Sequence, residues 1–466
     1  MNSPPLTGQT TVPGDKSIAH RALMMQCLCA PNVSRTIHNL PPNADVLATL
    51  DCLKQLGIQS SEASNHSITL TTPNIWPLPP TAQPILLDAK NSGTTMRLLS
   101  GLLSGLNQHV CLQGDASLSQ RPMQRILTPL SSMGASIQST QHQNQQTAVA
   151  PLTLIPRETS HPHTLLKPLD YTLPIASAQV KSSILLAGLF ADGTTQVTEH
   201  VPTRDHTERM LNAMGVPVTT KPLNNADGTG QTISITGPIQ PLSSGTNFNS
   251  FPFHIPGDIS SAIFLLALAA IIPNSQLKLT HIGLNPGRTG ALEILKQWGA
   301  DITITNTQTH HGEPVGDIAL KYTPLSGDIT LNHAHIPALV DELPILAIIA
   351  AFTPGTFTVS GAEELRHKEC DRLSAIETLL STVNIPITMT PDGFTIKGKH
   401  PSITSITTSP KTAPLQTFHD HRIGLCWHVL NHILQPNTQW PLDHPECINV
   451  SFPNFPDVLS QLTSSS

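Results

Sequence analysis

Lysine and arginine are scarce in this 466-residue chain, 25 together against 31 aspartates and glutamates. Where they cluster is therefore informative. Half of the twelve arginines, Arg21, Arg97, Arg121, Arg204, Arg372 and Arg422, are candidate anion ligands within short polar motifs. In Gly14-Asp15-Lys16-Ser17-x-x-x-Arg21, Lys16, Ser17 and Arg21 sit on the opening turns of an expected helix. Free backbone N–H groups and the helix dipole make that an anion site. It lacks the GxxxxGK[ST] spacing of a nucleotide loop, and a solvated basic turn is the plain alternative. Asn91-Ser92-Gly93-Thr94-Thr95-Met96-Arg97 repeats the design. Gly93 gives backbone access there, and Arg97 completes a fork for phosphate or carboxylate. The loop Gly114-Asp115-Ala116-Ser117-Leu118-Ser119-Gln120-Arg121-Pro122 ends in another arginine. Ser177-Ala178-Gln179-Val180-Lys181 offers hydrogen bonds to hydroxyl groups, with Lys181 expected to face solvent. Arg204-Asp205-His206-Thr207-Glu208 opens an amphipathic helix; Arg204 suits an anion, and Asp205 and Glu208 suit helix caps.

The second half adds acids. Val340-Asp341-Glu342-Leu343-Pro344 introduces a long apolar helix. A carboxylate at such a start is either an N-cap or a general base. Leu365-Arg366-His367-Lys368-Glu369-Cys370-Asp371-Arg372 mixes both signs, and His419-Asp420-His421-Arg422 closes the series. Singly, each is a cap or a surface ion pair. Together they recur at one position of a repeat, as incidental surface charge does not.

That repeat is near eighty residues long. Small-residue apolar helices begin near Lys16, Gly93, Ala178, Ser260, Asp341 and His421, at steps of 77, 85, 82, 81 and 80 residues. Being apolar on most faces, they belong inside. Amphipathic helices alternate with them and stop at Gly57, Gly134, Gly215 and Gly299, with Asn384 in the fifth copy. These are the residues that tolerate the left-handed backbone closing a helix. Pro13-Gly14-Asp15 and Pro256-Gly257-Asp258 stand half a chain apart and in register with the repeat. They are expected to be two strands of a hinge. Polar stretches at 139–147, 159–164, 224–229 and 306–316 are expected to be surface loops.

Net charge is −6, which argues against nucleic acid as a bulk partner. No membrane span is expected, because the longest apolar run, Ala262 to Ile272, is too short. The seven cysteines show no zinc spacing, and a reducing compartment with free thiols is expected. Met1 to Gly14 carries no secretory or transit pattern, so the cytoplasm is the expected location. His310-His311 and His161-x-His163 lie in polar sequence and are not expected to bind metal.

All of these motifs except the one at 340–344, seven in order, resemble those of the EPSP synthase (3-phosphoshikimate 1-carboxyvinyltransferase) family of enolpyruvyl transferases. The likeness covers almost the whole chain. It implies an inside-out α/β fold of two domains, each of three βαβαββ-like repeat units with buried helices. Residues 15–255 would form units one to three, the shikimate 3-phosphate side. Residues 1–14 and 256–466 would form units four to six, the Asp/Glu catalytic side, with the active site in the interdomain cleft. The implied reaction moves the enolpyruvyl group of phosphoenolpyruvate to the 5-hydroxyl of shikimate 3-phosphate. It runs by addition–elimination through a tetrahedral intermediate and releases phosphate, on the way to chorismate and the aromatic amino acids.

Carried over residue by residue, the resemblance implies that Asp341, Glu369 and Lys16 are catalytic. Shikimate 3-phosphate would be held by Lys16, Ser17, Arg21, Ser177, Ala178, Gln179, Arg204, Asp341 and Lys368. Phosphoenolpyruvate would be held by Lys16, Gly93, Arg121, Gln179, Arg372 and Arg422, with Asn91, Thr94 and Arg97 shaping the site. No metal or cofactor is implied, and the expected partners are the two small substrates, with no nucleic acid or membrane and a monomeric state. Glyphosate resembles phosphoenolpyruvate, and insensitive members often carry Ala where this chain has Gly93. One departure stands out: many members have a Lys where Cys447-Ile448-Asn449-Val450-Ser451-Phe452-Pro453 has Val450. Two alternatives remain. The sister enzyme acting on UDP-N-acetylglucosamine uses a loop Cys, where Ala116 stands here. A non-catalytic relative would have lost its acid and base residues, whereas Asp341 and Glu369 are present.

Overall fold

A helix that is apolar all round has no solvent face and must be enclosed by other elements. The computed structural model describes residues 3–64, 66–79, 81–141, 147–157, 165–223, 230–241, 253–399, 413–434 and 439–464. Strand β1 (Thr7–Thr10) leads in. The first repeat holds α1 (Lys16–Met24), β2 (Ser34–His38), α2 (Ala44–Gln55), β3 (Gln59–Ser64) and β4 (Ser67–Thr71). The second holds β5 (Ile85–Asp88), α3 (Gly93–Gly105), β6 (Val110–Gln113), α4 (Gln124–Ser132), β7 (Ser136–Gln141) and β8 (Ala148–Ile155). The third holds β9 (Asp170–Thr172), α5 (Ala178–Gly188), β10 (Gly193–Glu199), α6 (His206–Ala213), β11 (Val218–Pro222) and β12 (Gln231–Gly237). The fourth holds β13 (Phe253–His254), α7 (Ile259–Ile271), β14 (Gln276–Gly283), α8 (Gly290–Gln297), β15 (Asp301–His310) and β16 (Glu313–Lys321). The fifth holds β17 (Ile329–Leu331), the short α9 (Ile336–Leu339), α10 (Leu343–Ala351), β18 (Gly355–Val359), α11 (Arg372–Thr382), β19 (Ile387–Thr390) and β20 (Gly393–Gly398). The sixth contributes α12 (His421–Leu434) and α13 (Phe455–Ser464).

Among the described residues there are five four-stranded sheets, all of one topology. The leading strand pairs parallel with the strand after the buried helix, and the hairpin then adds antiparallel, as in β5-β6-β8-β7. Two sheets exchange their leading strands. N-terminal β1 joins β14, and β13 joins β2, both in parallel. A Pro-Gly-Asp follows each exchanged strand, and its Asp caps the next buried helix. Asp15 accepts from the Ile18 N–H and Asp258 from the Ser260 N–H, both at 2.9 Å. The chain divides into two compact units. One, the N-half unit, is Gly14–Ile255 with His310–Glu313. The other, the C-half unit, is Met1–Pro13, Pro256–Thr309 and Pro314–Ser466.

Each unit has its own apolar core. Every residue of α7 and of α10 is buried. Helices α3 and α5 approach so closely that a methyl on Gly101 would overlap the Ser183 carbonyl. The amphipathic helices stop as the sequence indicates. Gly57, Gly134, Gly215 and Gly299 have φ of +87°, +91°, +80° and +94°, and Asn384 has +60°. In each copy the next N–H reaches back to the carbonyl five residues earlier, as from Ala135 to Leu130 at 3.0 Å.

The fourth and fifth buried helices begin close to the expected places, at Ile259 and at Leu343, two residues after Asp341. Expectations about two surface loops need correction. Residues 306–316 are not a loop but the end of the β15–β16 hairpin. Most β15 side chains face water, so its strand character carries no apolar alternation there. Residues 136–141 likewise extend as β7. Residues 142–146, 159–164 and 224–229, with His161 and His163, lie outside the described residues. No described helix is long and apolar enough to cross a membrane. All seven cysteines are free thiols; burial pushes Cys29, Cys52 and Cys447 up to about 12.

A buried polar chain ties three helices of the N-half unit together. His20 Nδ1 lies 2.7 Å from Thr49 Oγ1, which meets Thr95 Oγ1 at 2.6 Å, which donates to Ser92 Oγ at 2.7 Å. Ser92 caps α3 and so sets the start that carries Gly93. Burial, only partly countered by Asp45, lowers the His20 pKa from 6.5 to about 3. Between those values the unfolded chain binds a proton that the folded chain refuses, so stability falls as pH drops through the window. At pH 5 the loss is about 2 kcal/mol. Urea unfolding at pH 7 and pH 5 tests this: His20→Asn should shrink the acid loss by about that amount, and an unchanged loss would contradict it.

Candidate active site

In the N-half unit the helix starts gather the predicted anion ligands into linked groups. Lys16 opens α1 and its ammonium lies 3.0 Å from Asp45 Oδ2. Arg21, one turn on, is buried and braced on three sides. Its Nε donates to Thr207 Oγ1 at 2.7 Å, one terminal nitrogen to the Ser17 carbonyl at 2.9 Å and the other to Ser182 Oγ at 2.8 Å. Burial lowers its pKa to about 10 against the pull of Glu208. Half-buried Arg204 lies near enough to Arg21 for the two guanidiniums to repel. Two like cations at close range suit an anion of more than one charge.

A second group forms around Gly93. A methyl there would stand 2.8 Å from one terminal nitrogen of Arg97 and 3.5 Å from one of Arg121. Arg97 donates to Gln179 Oε1 at 2.7 Å, and Gln179 Nε2 donates to Thr94 Oγ1 at 3.0 Å. Arg121 donates to Asn91 Oδ1 at 2.6 Å, and Asn91 Nδ2 donates to Asp115 Oδ2 at 2.7 Å. Gly93, Thr94, Arg97, Arg121, Asn91 and Gln179 thus share one neighbourhood. Ser177 caps α5, accepting from the Val180 N–H at 3.4 Å, and Ala178 is the first helical residue.

In the C-half unit Arg372 is the hub. It is 1% exposed, and its Nε donates to fully buried Asp420 at 2.8 Å. One terminal nitrogen donates to Asp341 at 3.1 Å and the other to Glu369 at 2.7 Å. Burial opposes this charge, but Asp420, Glu369 and Asp341 outweigh it and hold the guanidinium well above its ordinary range. The two outer acids keep partial access to solvent, Asp341 at 20% and Glu369 at 31%. Arg422 stands beside them, 3.8 Å from Asp341 and donating to the Ser260 carbonyl at 3.1 Å. Its Nε is buried with no acceptor among the described residues. Lys368 is turned elsewhere, pairing with Glu364 at 2.7 Å. Val450 ends a 3₁₀ turn, Pro445–Val450, and adds no cation there.

Three sequence readings fail. Lys181 does not face solvent: it is fully buried between Glu199 and Glu208. Those two acids are what make its burial tolerable. Glu208 is therefore a partner of Lys181 and not a cap, and Asp205 accepts from Arg209 at 2.8 Å instead of capping α6. Of the two readings of Asp341, cap or base, the cap is excluded, because Asp341 is held by Arg372 and makes no capping bond to α10. Four polar partners escaped the sequence reading: Asp45, Ser182, Glu199 and Arg288. Arg288 is buried and donates to Asp258 Oδ1 at 2.9 Å and Ser260 Oγ at 2.7 Å; Ser260 in turn donates to Glu342. Its signal, an arginine in the turn Asn285-Pro286-Gly287-Arg288 after β14, is too short to distinguish from surface sequence. No described cluster of His, Cys, Asp and Glu has the makings of a metal site, His310-His311 included.

Known proteins carry the same plan. The family described as EPSP synthase (3-phosphoshikimate 1-carboxyvinyltransferase) matches residues 2–459. A 3-phosphoshikimate 1-carboxyvinyltransferase of Syntrophomonas wolfei is 41% identical over 464 residues, 99% of this chain and 98% of that one. One of Hydrogenovibrio crunogenus is 40% identical over 450 residues, 97% of this chain and 93% of that one. A solved EPSP synthase of Acinetobacter baumannii superposes with a TM-score of 0.79 at 37% identity, covering 99% of this chain and 96% of that one. With a match along nearly its whole length, the chain belongs to the EPSP synthase (3-phosphoshikimate 1-carboxyvinyltransferase) family.

Proposed function

We propose that this protein transfers the enolpyruvyl group of phosphoenolpyruvate to the 5-hydroxyl of shikimate 3-phosphate, giving 5-enolpyruvylshikimate 3-phosphate and phosphate. The observation that carries the mechanism is the pair of part-exposed carboxylates, Asp341 and Glu369, hung on one buried guanidinium, Arg372. Such a mount fixes two acid–base groups a guanidinium apart. Asp341 takes the proton of the 5-hydroxyl as its oxygen attacks C2 of phosphoenolpyruvate. Glu369, with Lys16, delivers a proton to the methylene carbon, which becomes a methyl group. The adduct is a tetrahedral ketal phosphate. Loss of a methyl proton then expels phosphate by breaking the C2–O bond and leaves the enol ether.

The binding roles follow charge and reach. Ser17, Arg21, Ser177, Ala178 and Arg204 hold shikimate 3-phosphate, with Gln179 reaching both substrates. Arg121 and Arg422 take phosphoenolpyruvate, beside the open backbone at Gly93. Arg372 enters already carrying three carboxylates, so its larger part is to hold the two acids. Lys368, paired with Glu364, reaches shikimate 3-phosphate only on leaving that acid. The proposal requires the residues of both units to reach the same two substrates. We further propose that the protein works as a cytoplasmic monomer.

Phosphate release measured with both substrates tests the function. Asp341→Ala should slow it about 10²–10⁴-fold, the scale of a positioned acid or base, while shikimate 3-phosphate binding weakens far less. Full activity in that variant would remove Asp341 from the mechanism, and no release by the parent protein would refute the function. Gly93→Ala tests the phosphoenolpyruvate side. The methyl meets the end of the flexible Arg97 side chain first, so the substrate site yields slightly while the longer glyphosate is crowded. Overpacking of this kind costs roughly 1–3 kcal/mol, a rise in the glyphosate inhibition constant of about ten- to hundredfold. Equal constants at equal substrate saturation would show Gly93 to be irrelevant.

A further inference from the structure

Lys181 is a fully buried ammonium that the chemistry above does not use. Its Nζ lies 3.0 Å from Glu199 Oε1, 2.8 Å from Glu208 Oε1 and 3.3 Å from the Thr203 carbonyl. Each contact falls on a different segment. Glu199 ends β10, Thr203 immediately precedes Arg204, and Glu208 follows Thr207 on α6. Lys181 itself lies on α5, two residues beyond Gln179 and four beyond Ser177. Glu199 is further tied by Thr203 Oγ1 at 2.7 Å and by Gln231 Nε2 at 2.6 Å. Thr207 in turn accepts the Nε–H of Arg21.

We infer that Lys181 is a positioning residue for the shikimate 3-phosphate site: one buried charge holds Ser177, Arg204 and, through Thr207, Arg21 in the array that grips the phosphate. This rests on the assignment of that site made above. The same ammonium also occupies both acids. Without it, Glu199 and Glu208 become buried carboxylates with no cation of their own. Glu208 already attracts Arg21, so the uncompensated acid draws that guanidinium away from the ligand. A cation mounted to satisfy protein acids is lost at a high cost when removed, and a neutral replacement cannot restore the geometry.

Isothermal titration of shikimate 3-phosphate, with phosphoenolpyruvate kinetics run alongside, tests the inference. Lys181→Met should raise the Kd for shikimate 3-phosphate at least thirtyfold, while the KM for phosphoenolpyruvate changes less than threefold. A general loss of packing would weaken both substrates alike, so equal losses overturn the inference. A Kd within threefold of the parent value overturns it too. Should Lys181→Met fail to fold, Lys181→Arg serves. The planar group keeps the charge but cannot meet both acids and the Thr203 carbonyl from one point. Its Kd for shikimate 3-phosphate should rise about tenfold with phosphoenolpyruvate little affected, and an unchanged Kd overturns the inference. Absence of binding by the parent protein would overturn the proposed function and this inference together. Binding by the parent that survives both substitutions overturns this inference alone.

Discussion

A cation taken into an apolar interior carries a penalty of several kcal/mol unless an acid is buried with it. That constraint organises both units. Arg372 goes into the interior with Asp420, Arg288 with Asp258, and Lys181 with Glu199 and Glu208. Asp258 and Asp420 sit where apolar α7 and α12 begin, because that is where backbone N–H groups still seek acceptors. The apolar helices make the cores, and their polar starts make the chemistry. A site built there inherits the rigidity of the core beneath it.

Repetition supplies the number of such starts. One βαβαββ plan provides one polar helix start per copy, and the copies differ in which charge they carry. Starts in the N-half unit hold Lys16, Arg21, Gly93, Arg97 and Ser177, a set suited to anions. Starts in the C-half unit hold Asp258, Asp341 and Glu342 beside Arg372 and Arg422, a set suited to moving protons near an anion. The exchange of β1 and β13 between sheets places a Pro-Gly-Asp after each exchanged strand. The same Asp that follows the turn then caps the buried helix, so the chain changes units at the point where the first and fourth starts are set.

What the sequence revealed and what it hid divide along the range of the interactions. Helix stops at Gly57, Gly134, Gly215, Gly299 and Asn384 were legible because left-handed backbone is a property of one residue. Buried α7 was legible because Ala262 to Ile272 are apolar without a break and offer no polar face. Lys181 was misread because its partners come from β10 and α6, and nothing adjacent to it is acidic. Arg288 was missed for the same reason, its partners lying at the start of α7. Only the end of the β15–β16 hairpin, 306–316, was mistaken for a loop, because a strand open to water loses the alternation that marks a half-buried one. Asp341 was legible as either a cap or a base, and only the arrival of Arg372 from α11 removes the cap.

Attack at C2 with departure of phosphate from that carbon is the claim on which the account turns. It is tested most directly by phosphoenolpyruvate carrying ¹⁸O in the oxygen that bridges C2 and phosphorus. Turnover with shikimate 3-phosphate should place the label in inorganic phosphate, because the C–O bond breaks and the new ether oxygen comes from the 5-hydroxyl. Unlabelled phosphate, with ¹⁸O retained on the three-carbon unit, would mean that the P–O bond breaks instead and would contradict the mechanism assigned to Asp341 and Glu369.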